Sequence, residues 1–297
     1  LLRYGPAADF ETVGGKGLRE QIYAWPDVNR CLIDEQLVSR AYEGALANLS
    51  VSTRGLAALE YLLFDTSADN GCAPAAPINA DGSWAALGAD EIARRKAAYA
   101  SAAAADVALR LQALVGAWQE GGFLAQLSGA GRGSTLFATQ QTALSAVAEA
   151  LFYLDTDVKD ARLARPLGLK DCAKATCPEA LESPWADRGE QHLRQNLKGL
   201  QLLLFGCPAG MNLGFDDLLE AAGAPALAEQ TRVAVAAAVA AIDAIPGESL
   251  RAALADPQGR AAMVAAHDAV REVTSLLKME FSMTLAITSS RVEGDHD

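Results

Sequence analysis

The chain has 297 residues, of which 51% are hydrophobic and 21% are charged, and its formal net charge at pH 7 is −12. This composition predicts a folded protein of about two domains and excludes a disordered chain. The acidic charge argues against nucleic acid as a partner, because an acidic surface repels phosphate backbones. The longest apolar run, Val233–Ile242, covers ten residues. No transmembrane span is predicted, since about 20 such residues are needed to cross a bilayer.

The first half of the chain shows helix-period patterns rich in Ala and Leu, with almost no alternation typical of strands. Residues 1–30 are predicted to be irregular, because glycines and prolines interrupt them. Residues 65–83 are rich in Asp, Asn, Gly and Pro and are predicted to form a loop. Three helices are predicted, at about residues 34–48, at 52–64 with Ser52 or Thr53 as the N-cap, and at 89–119.

The second half of the chain is also predicted to be helical. Ser134 is the predicted N-cap of a helix that continues to about Arg165, before Pro166. Asp187–Glu190 has the pattern of a capping box and is predicted to begin a helix that ends near Phe205. Three further helices are predicted at about residues 215–222, 225–245 and 257–287.

These elements predict an all-α fold of two helical-bundle domains. The glycine-rich segment Ser128–Gly133 is interpreted as the joint between them. The predicted domains are residues 1–128, which form the N-terminal bundle, and residues 134–297, which form the C-terminal bundle.

The five cysteines are Cys31, Cys72, Cys172, Cys177 and Cys207. Cys172 and Cys177 lie in one polar loop, and their spacing favours a local disulfide in an oxidising compartment, with two free thiols as the alternative. A zinc site needs about four Cys or His ligands at tight spacing, which this sequence does not offer. The pairing of Cys31, Cys72 and Cys207 stays open.

The most informative segment is Arg54–Phe64, which reads Arg-Gly-Leu-Ala-Ala-Leu-Glu-Tyr-Leu-Leu-Phe. It resembles the signature of the imelysin family, in which Gly-x-His-x-x-Glu precedes an apolar run. Gly55 and Glu60 match that signature, but Ala57 stands at the His position. Residues three apart share one face of a helix. The family's His and Glu could therefore hold a metal together, whereas Ala57 and Glu60 cannot.

The resemblance extends along nearly the whole chain. Further segments that look like family patterns follow in the expected order, at Arg3–Pro6, Trp25–Asp27, Glu182–Pro184, Asn196–Gly199 and Glu293–Asp295. The resemblance implies two helical bundles, a periplasmic or cell-envelope location and an association with iron uptake. It also implies further helices upstream of Arg3, which either belong to the protein but not to this sequence or have been lost from a rebuilt domain. The start at Leu1, with neither Met nor a basic segment, is interpreted as a processed or truncated end.

Glu60 is the leading candidate for a ligand contact, with a site expected between the bundles. The alternative for Glu60 is a structural salt bridge to Arg3 or Arg54. Iron or another divalent metal is the ligand that the family suggests, and Glu60 is the one candidate metal ligand. The complete set of candidate ligand-binding residues is Glu60, Arg3, Trp25, Asp27, Arg54, Glu182, Ser183 and Asn196.

The three histidines, His192, His267 and His296, lie at spacings that match no metal motif. Signatures of zinc proteases, serine hydrolases and phosphate-binding loops are also missing from the sequence. His192 and His267 are interpreted as structural residues. His296 lies in a terminal segment expected to fray.

Three functions are therefore compared. The first is a non-catalytic, imelysin-like binding protein of the cell envelope that acts in iron uptake. The second is a metallopeptidase, a description that in this family rests on the His-x-x-Glu pair. The third is a structural or adaptor module that docks to an envelope partner through an apolar stripe left by the missing helices. We expect no catalytic residue, since a catalytic zinc takes about three protein ligands and a water.

Overall fold

The computed structural model of the protein describes residues 17–44, 46–119, 121–207, 213–247 and 249–288. Every regular element within these ranges is a helix, which confirms the all-α class. The chain divides into two compact units, Leu1–Gln126 and Leu127–Asp297. Arg3, His296 and the segment Glu293–Asp295 lie outside the described residues.

The first unit is organised around one long helix. It contains α1 (Leu18–Ile22), α2 (Arg30–Ser39), α3 (Gly55–Phe64), α4 (Pro77–Ala80) and α5 (Ser83–Trp118), with 3-10 turns at Ala41–Glu43, Leu46–Asn48 and Val51–Thr53. The short helix α6 (Phe123–Ser128) spans the boundary between the two units. Helix α5 packs against α1, α2, α3 and α4. Gly88, whose backbone is not helical, separates the first turn of α5 from the rest of that helix. The core includes a stacked ring pair, Tyr42 and Tyr99, with centroids 4.7 Å apart.

The second unit has the larger apolar core. Its α-helices are α7 (Gln140–Ala148), α8 (Gly189–Phe205), α9 (Phe215–Ala221), α10 (Pro225–Asp243), α11 (Leu250–Ala255), α12 (Pro257–Leu276) and α13 (Ser282–Thr284). Two segments are π-helical, Leu154–Ala164 and Leu277–Phe281. Helix α12 is central, because it packs against α10, α11 and the first π-helix. Its buried side chains include Met263, Val270 and Val273.

Three predicted helices differ from the structure in extent. The first, predicted at 34–48, is α2 at Arg30–Ser39, and it ends because Arg40 adopts a left-handed backbone, after which 3-10 turns follow. The predicted helix 134–165 is divided into α7 and the first π-helix. The predicted helix 257–287 changes from α to π geometry after Leu276. Such changes depend on tertiary packing, which sequence periodicity does not report.

The predicted helix caps were wrong at three places. Helix α7 begins after Thr139, whose side chain accepts a hydrogen bond from the Thr142 amide, and Ser134 caps a turn instead. Helix α8 begins after Arg188, and no side chain caps it. Ser52 and Thr53 belong to a 3-10 turn, so α3 begins only at Gly55. Helix α1 lies inside the segment predicted to be irregular, and α4 lies inside the predicted loop.

Two disulfides are present in the structure. Cys172 is bonded to Cys177, which confirms the predicted local bridge over the free-thiol alternative. Cys31 is bonded to Cys72 across 41 residues, a pairing that the sequence left open. Cys207 is free and exposed.

Candidate functional site

The start of helix α3 is held in place by side chains from two other helices. The Tyr99 hydroxyl on α5 lies 2.5 Å from the Thr53 carbonyl oxygen. The Gln36 amide on α2 donates to the Thr53 hydroxyl at 3.2 Å. These contacts fix the turn that immediately precedes Arg54 and Gly55. The signature segment therefore begins from a rigid support.

Gly55 lets the signature helix approach the end of α1. Its φ is +75°, and a Cβ atom there would lie 2.6 Å from the carbonyl oxygen of Ile22. Only glycine tolerates both that backbone and that distance. The glycine of the signature is thus explained by close packing between α1 and α3.

Arg54, the residue before Gly55, carries a buried positive charge. Its side chain is 1% exposed, and Nη1 lies 3.5 Å from Oδ2 of Asp106 on α5. Burial lowers the pKa of Arg54, the nearby charge of Arg110 lowers it further, and Asp106 opposes both. Within the part of the chain that the structure describes, neither Nε nor Nη1 of Arg54 makes a hydrogen bond.

Asp106 is shared between two guanidinium groups. Arg110 donates to Oδ2 at 2.8 Å and to Oδ1 at 2.9 Å, and it also donates to the Gln21 side chain. One carboxylate thus faces two cations, Arg54 and Arg110. Among these three side chains the positive charges outnumber the negative one, an arrangement that favours an anionic group nearby.

Ala57 and Glu60, the two signature positions that bear on metal binding, differ in burial. Ala57 is 2% exposed, so its methyl group is part of the packed core. Glu60 is partly exposed on the same helix. The sequence of the first unit contains no histidine at all. No imidazole from this unit can therefore join Glu60.

Two other predicted residues of the first unit, Trp25 and Asp27, lie between α1 and α2. Trp25 is buried, and its carbonyl oxygen accepts a hydrogen bond from Arg19 at 3.2 Å. Asp27 is exposed in the turn that follows. Because α1 packs against α3, the segment with Trp25 follows directly from a helix that contacts the signature. Whether Trp25, Asp27 and Arg54 share a ligand stays a prediction.

The second unit contains a buried ion pair that involves the predicted residue Glu182. Arg162, on the first π-helix, donates from Nε to Oε2 at 2.6 Å and from Nη2 to Oε1 at 2.9 Å. Arg162 also donates to the Asp157 carbonyl oxygen at 2.6 Å and to the Tyr153 hydroxyl at 3.2 Å. His192 lies beside the same carboxylate, with Nδ1 3.4 Å from Oε1.

The carboxyl group of Glu182 is held in its charged form. Burial by itself would raise its pKa, but the hydrogen bond from His192 and the charge and hydrogen bonds of Arg162 outweigh burial. Together they lower the pKa of Glu182 to about 2. A carboxylate that accepts several charged hydrogen bonds behaves in this way even when buried.

Ser183 and Asn196 complete this cluster. Ser183 is buried with a φ of +56°, and its hydroxyl accepts a hydrogen bond from the Arg188 amide at 3.1 Å, at the start of α8. Asn196 donates to the His192 carbonyl oxygen at 2.8 Å. The structure thus places Glu182 beside the His192 ring and Asn196 against the His192 backbone carbonyl, and it adds Arg162, which the sequence analysis missed. A buried carboxylate requires a cationic partner, but the sequence did not show which of 25 Lys and Arg residues supplies it.

The imelysin family profile matches residues 1–277 of this chain. The chain belongs to the imelysin family. No curated protein sequence matches this imelysin-family chain.

A solved structure has the same fold as this family member. It is the crystal structure of a protein from Parabacteroides distasonis ATCC 8503 with the provisional name iron-regulated protein A precursor. The TM-score is 0.64 at 15% identity, over 95% of this chain and 78% of the other. At that identity the similarity establishes the fold alone.

Two further observations bear on the family's expected properties. No helix in the described ranges is long and apolar enough to cross a membrane. Among the described residues, one group of three side chains could hold a metal ion, and it consists of Cys31, Glu35 and Cys72. Glu60 belongs to no such group among those residues.

Proposed function

We propose that this imelysin-family protein is a non-catalytic binding protein of the cell envelope, exported to the periplasm, that acts in iron acquisition. Family membership supports the proposal, as does the name of the structural neighbour, which describes an iron-regulated precursor. One observation carries the non-catalytic part. A buried methyl group, that of Ala57, occupies the position of the signature's His.

The loss of that His leaves too few ligands for a zinc hydrolase. A catalytic zinc takes about three protein ligands and keeps one position for water. The first unit offers Glu60 and, by its sequence, no histidine. We therefore do not propose peptidase activity.

We propose that the ligand contacts Glu60 and is attracted by the positive charges of Arg54 and Arg110 at the start of α3. A carboxylate suits a hard cation such as ferric ion. Arg54 and Arg110, which share Asp106, suit an acidic group. A ferric ion carried by a carboxylate chelator combines both features, so ferric citrate is the probe of choice.

In the second unit we propose that Glu182 positions the imidazole ring of His192. Its carboxylate binds Arg162 and faces Nδ1 of His192. A carboxylate beside one ring nitrogen orients the imidazole and selects its tautomer. Ser183 and Asn196 hold the start of α8 and the backbone at His192, so they support the same ring.

Calorimetric titration tests the binding proposal. The full chain is titrated with ferrous, ferric and zinc ions and with ferric citrate, and the titrations are repeated with Glu60→Ala. Glu43→Ala is the matched control, because Glu43 is an exposed carboxylate of the same unit. We expect saturable binding of an iron species that Glu60→Ala weakens and Glu43→Ala does not. Absence of saturable binding by the unchanged protein would refute metal or chelate binding.

A cleavage assay tests the non-catalytic part separately. The pure protein is incubated with an unfolded protein substrate, with and without a chelator. We expect no cleavage above that of a buffer blank. Chelator-sensitive cleavage that disappears in Glu60→Ala would show that the protein is a metallopeptidase after all.

A further inference from the structure

Cys31, Glu35 and Cys72 form a cluster that is separate from the signature residues. Cys31 and Glu35 stand four residues apart on α2, so they share one helix face. Cys72 comes from the loop between α3 and α4. One ligand atom from each residue lies within 4.8 Å of the others, and Sγ of Cys31 is 3.9 Å from Oε1 of Glu35.

The donor set of this cluster has a definite chemical preference. Two thiolates and one carboxylate suit zinc and similar thiophilic divalent ions. Three protein ligands leave the fourth tetrahedral position to water. In the oxidised protein the two sulfur atoms are bonded to each other, so neither is a thiolate that can bind the ion.

The loop that carries Cys72 is tied to α2 and to α4 by contacts that do not need the disulfide. The Gly71 amide donates to the buried carboxylate of Asp34 at 2.6 Å. Asn70 and Asn79 pair through their side chains at 2.7 Å, and Asn70 also accepts from the Cys72 amide at 2.9 Å. These contacts would keep the two thiols close together after reduction.

The packing of Gly71 is a second reason to expect the loop to stay on α2 after reduction. A Cβ atom at Gly71 would lie 2.4 Å from Cβ of Arg30, so the backbone of the loop rests directly on α2. Arg30 and Gly71 immediately precede Cys31 and Cys72. Both cysteines are partly exposed, so a soluble reductant can reach them.

We propose that reduction of the Cys31–Cys72 disulfide creates a zinc site formed by Cys31, Cys72 and Glu35. A thiol reductant supplies two electrons and two protons, so the disulfide becomes two Cys thiols while two reductant thiols become one disulfide. Zinc then displaces the two thiol protons to solvent, and the Glu35 carboxylate binds as the third protein ligand. A disulfide oxidant reverses the exchange: it takes two electrons from the two thiolates, is reduced to two thiols, and leaves the Cys31–Cys72 bond in place of the zinc ligands. Zinc binding by this unit therefore depends on redox state.

Zinc titration of one variant in both redox states tests this proposal. Cys172→Ser, Cys177→Ser and Cys207→Ser are combined, so that Cys31 and Cys72 are the only cysteines left. The reduced form is freed of reductant without air, and competition with a chromophoric chelator measures zinc affinity. We expect one equivalent to bind at least about 100-fold more tightly to the reduced form than to the oxidised one, since the thiolates supply most of the affinity. Cobalt should give a thiolate charge-transfer band only in the reduced form.

Single substitutions in that background define the ligands. Cys72→Ser should abolish tight binding, and Glu35→Gln should weaken it about tenfold or more. Glu43→Gln, an exposed carboxylate just beyond α2, is the control that should change nothing. Equal zinc affinity in the two redox states, or in Glu35→Gln and its parent, overturns the proposal. Loss of helical circular dichroism on reduction also overturns it, because the site requires the loop to stay on α2.

Discussion

Arg162 and Glu182 form a two-bond ion pair, 20 residues apart in sequence, whose side chains are only 3% and 2% exposed. The pair joins the first π-helix to the segment that precedes α8. Removal of one partner of such a pair leaves an uncompensated charge in the interior. The stability of the second unit should therefore depend on keeping the pair intact.

Arg162→Met should lower the free energy of unfolding by about 3–5 kcal/mol, because Glu182 would remain buried without its main cation. Urea unfolding followed by circular dichroism measures the change. The double variant Arg162→Met/Glu182→Leu should recover much of the loss, since it buries no charge. Arg271→Met, which breaks an exposed pair with Asp268, should cost less than about 1 kcal/mol. A loss of that small size for Arg162→Met would contradict the prediction.

The ion pair also predicts a pH dependence. The pKa of Glu182 is lowered from 4.5 to about 2 in the folded protein. A lowered carboxyl pKa contributes stability that is present above the unfolded value and is lost as pH falls toward the folded value. Glu182 should therefore contribute up to about 3 kcal/mol above pH 4.5, from the size of that shift.

Comparison with Glu182→Gln isolates this contribution from other titrating groups. The difference in unfolding free energy between the unchanged protein and Glu182→Gln should be constant near neutral pH. It should shrink as pH falls below about 4.5. Urea titrations at several pH values check it. If this difference in unfolding free energy stays constant down to pH 3, the ion pair does not lower the pKa of Glu182 and the prediction is wrong.

Gly55→Ala should destabilise the first unit. The new Cβ would approach the Ile22 carbonyl oxygen to 2.6 Å at a φ of +75°, so the backbone must shift or be strained. The expected loss is about 1–3 kcal/mol or more. Gly116→Ala, on α5 with nothing near its Cβ, should be neutral or slightly stabilising. Thermal unfolding of both variants measures the difference. Equal changes in melting temperature for the two variants would contradict the prediction.

Ala57→His should destabilise the protein without creating a metal site. The imidazole would enter a packed position without a hydrogen-bond partner, at a cost of roughly 1–3 kcal/mol. Leu56→His, one residue earlier on an exposed face of α3, is the control and should have little effect. Zinc and iron titrations combined with thermal melts decide the matter. Tight metal binding by Ala57→His with an unchanged or raised melting temperature would contradict this prediction and show that the signature's His alone restores a metal site.

Several features followed from local sequence patterns alone. The apolar periodicity placed helix ends at Phe64 and Phe205, as the structure has them. The Cys172–Cys177 bridge was predictable because the two cysteines are five residues apart in one loop. The family resemblance came from residues at fixed local spacing, above all Gly55 and Glu60. Each of these features depends on neighbours along the chain.

Other features were decided only by tertiary structure. The Cys31–Cys72 bridge and the pairing of Arg162 with Glu182 join segments 41 and 20 residues apart. The sequence left the pairing of Cys31, Cys72 and Cys207 open and offered 25 Lys and Arg residues as partners for Glu182. The shared Asp106, which sets the charge around Arg54, depends on how α5 packs against the start of α3. The change from α to π geometry at Leu154–Ala164 has no counterpart in apolar periodicity. A residue's local pattern reports its helix and its face, whereas its partner is selected by the packing of the whole unit.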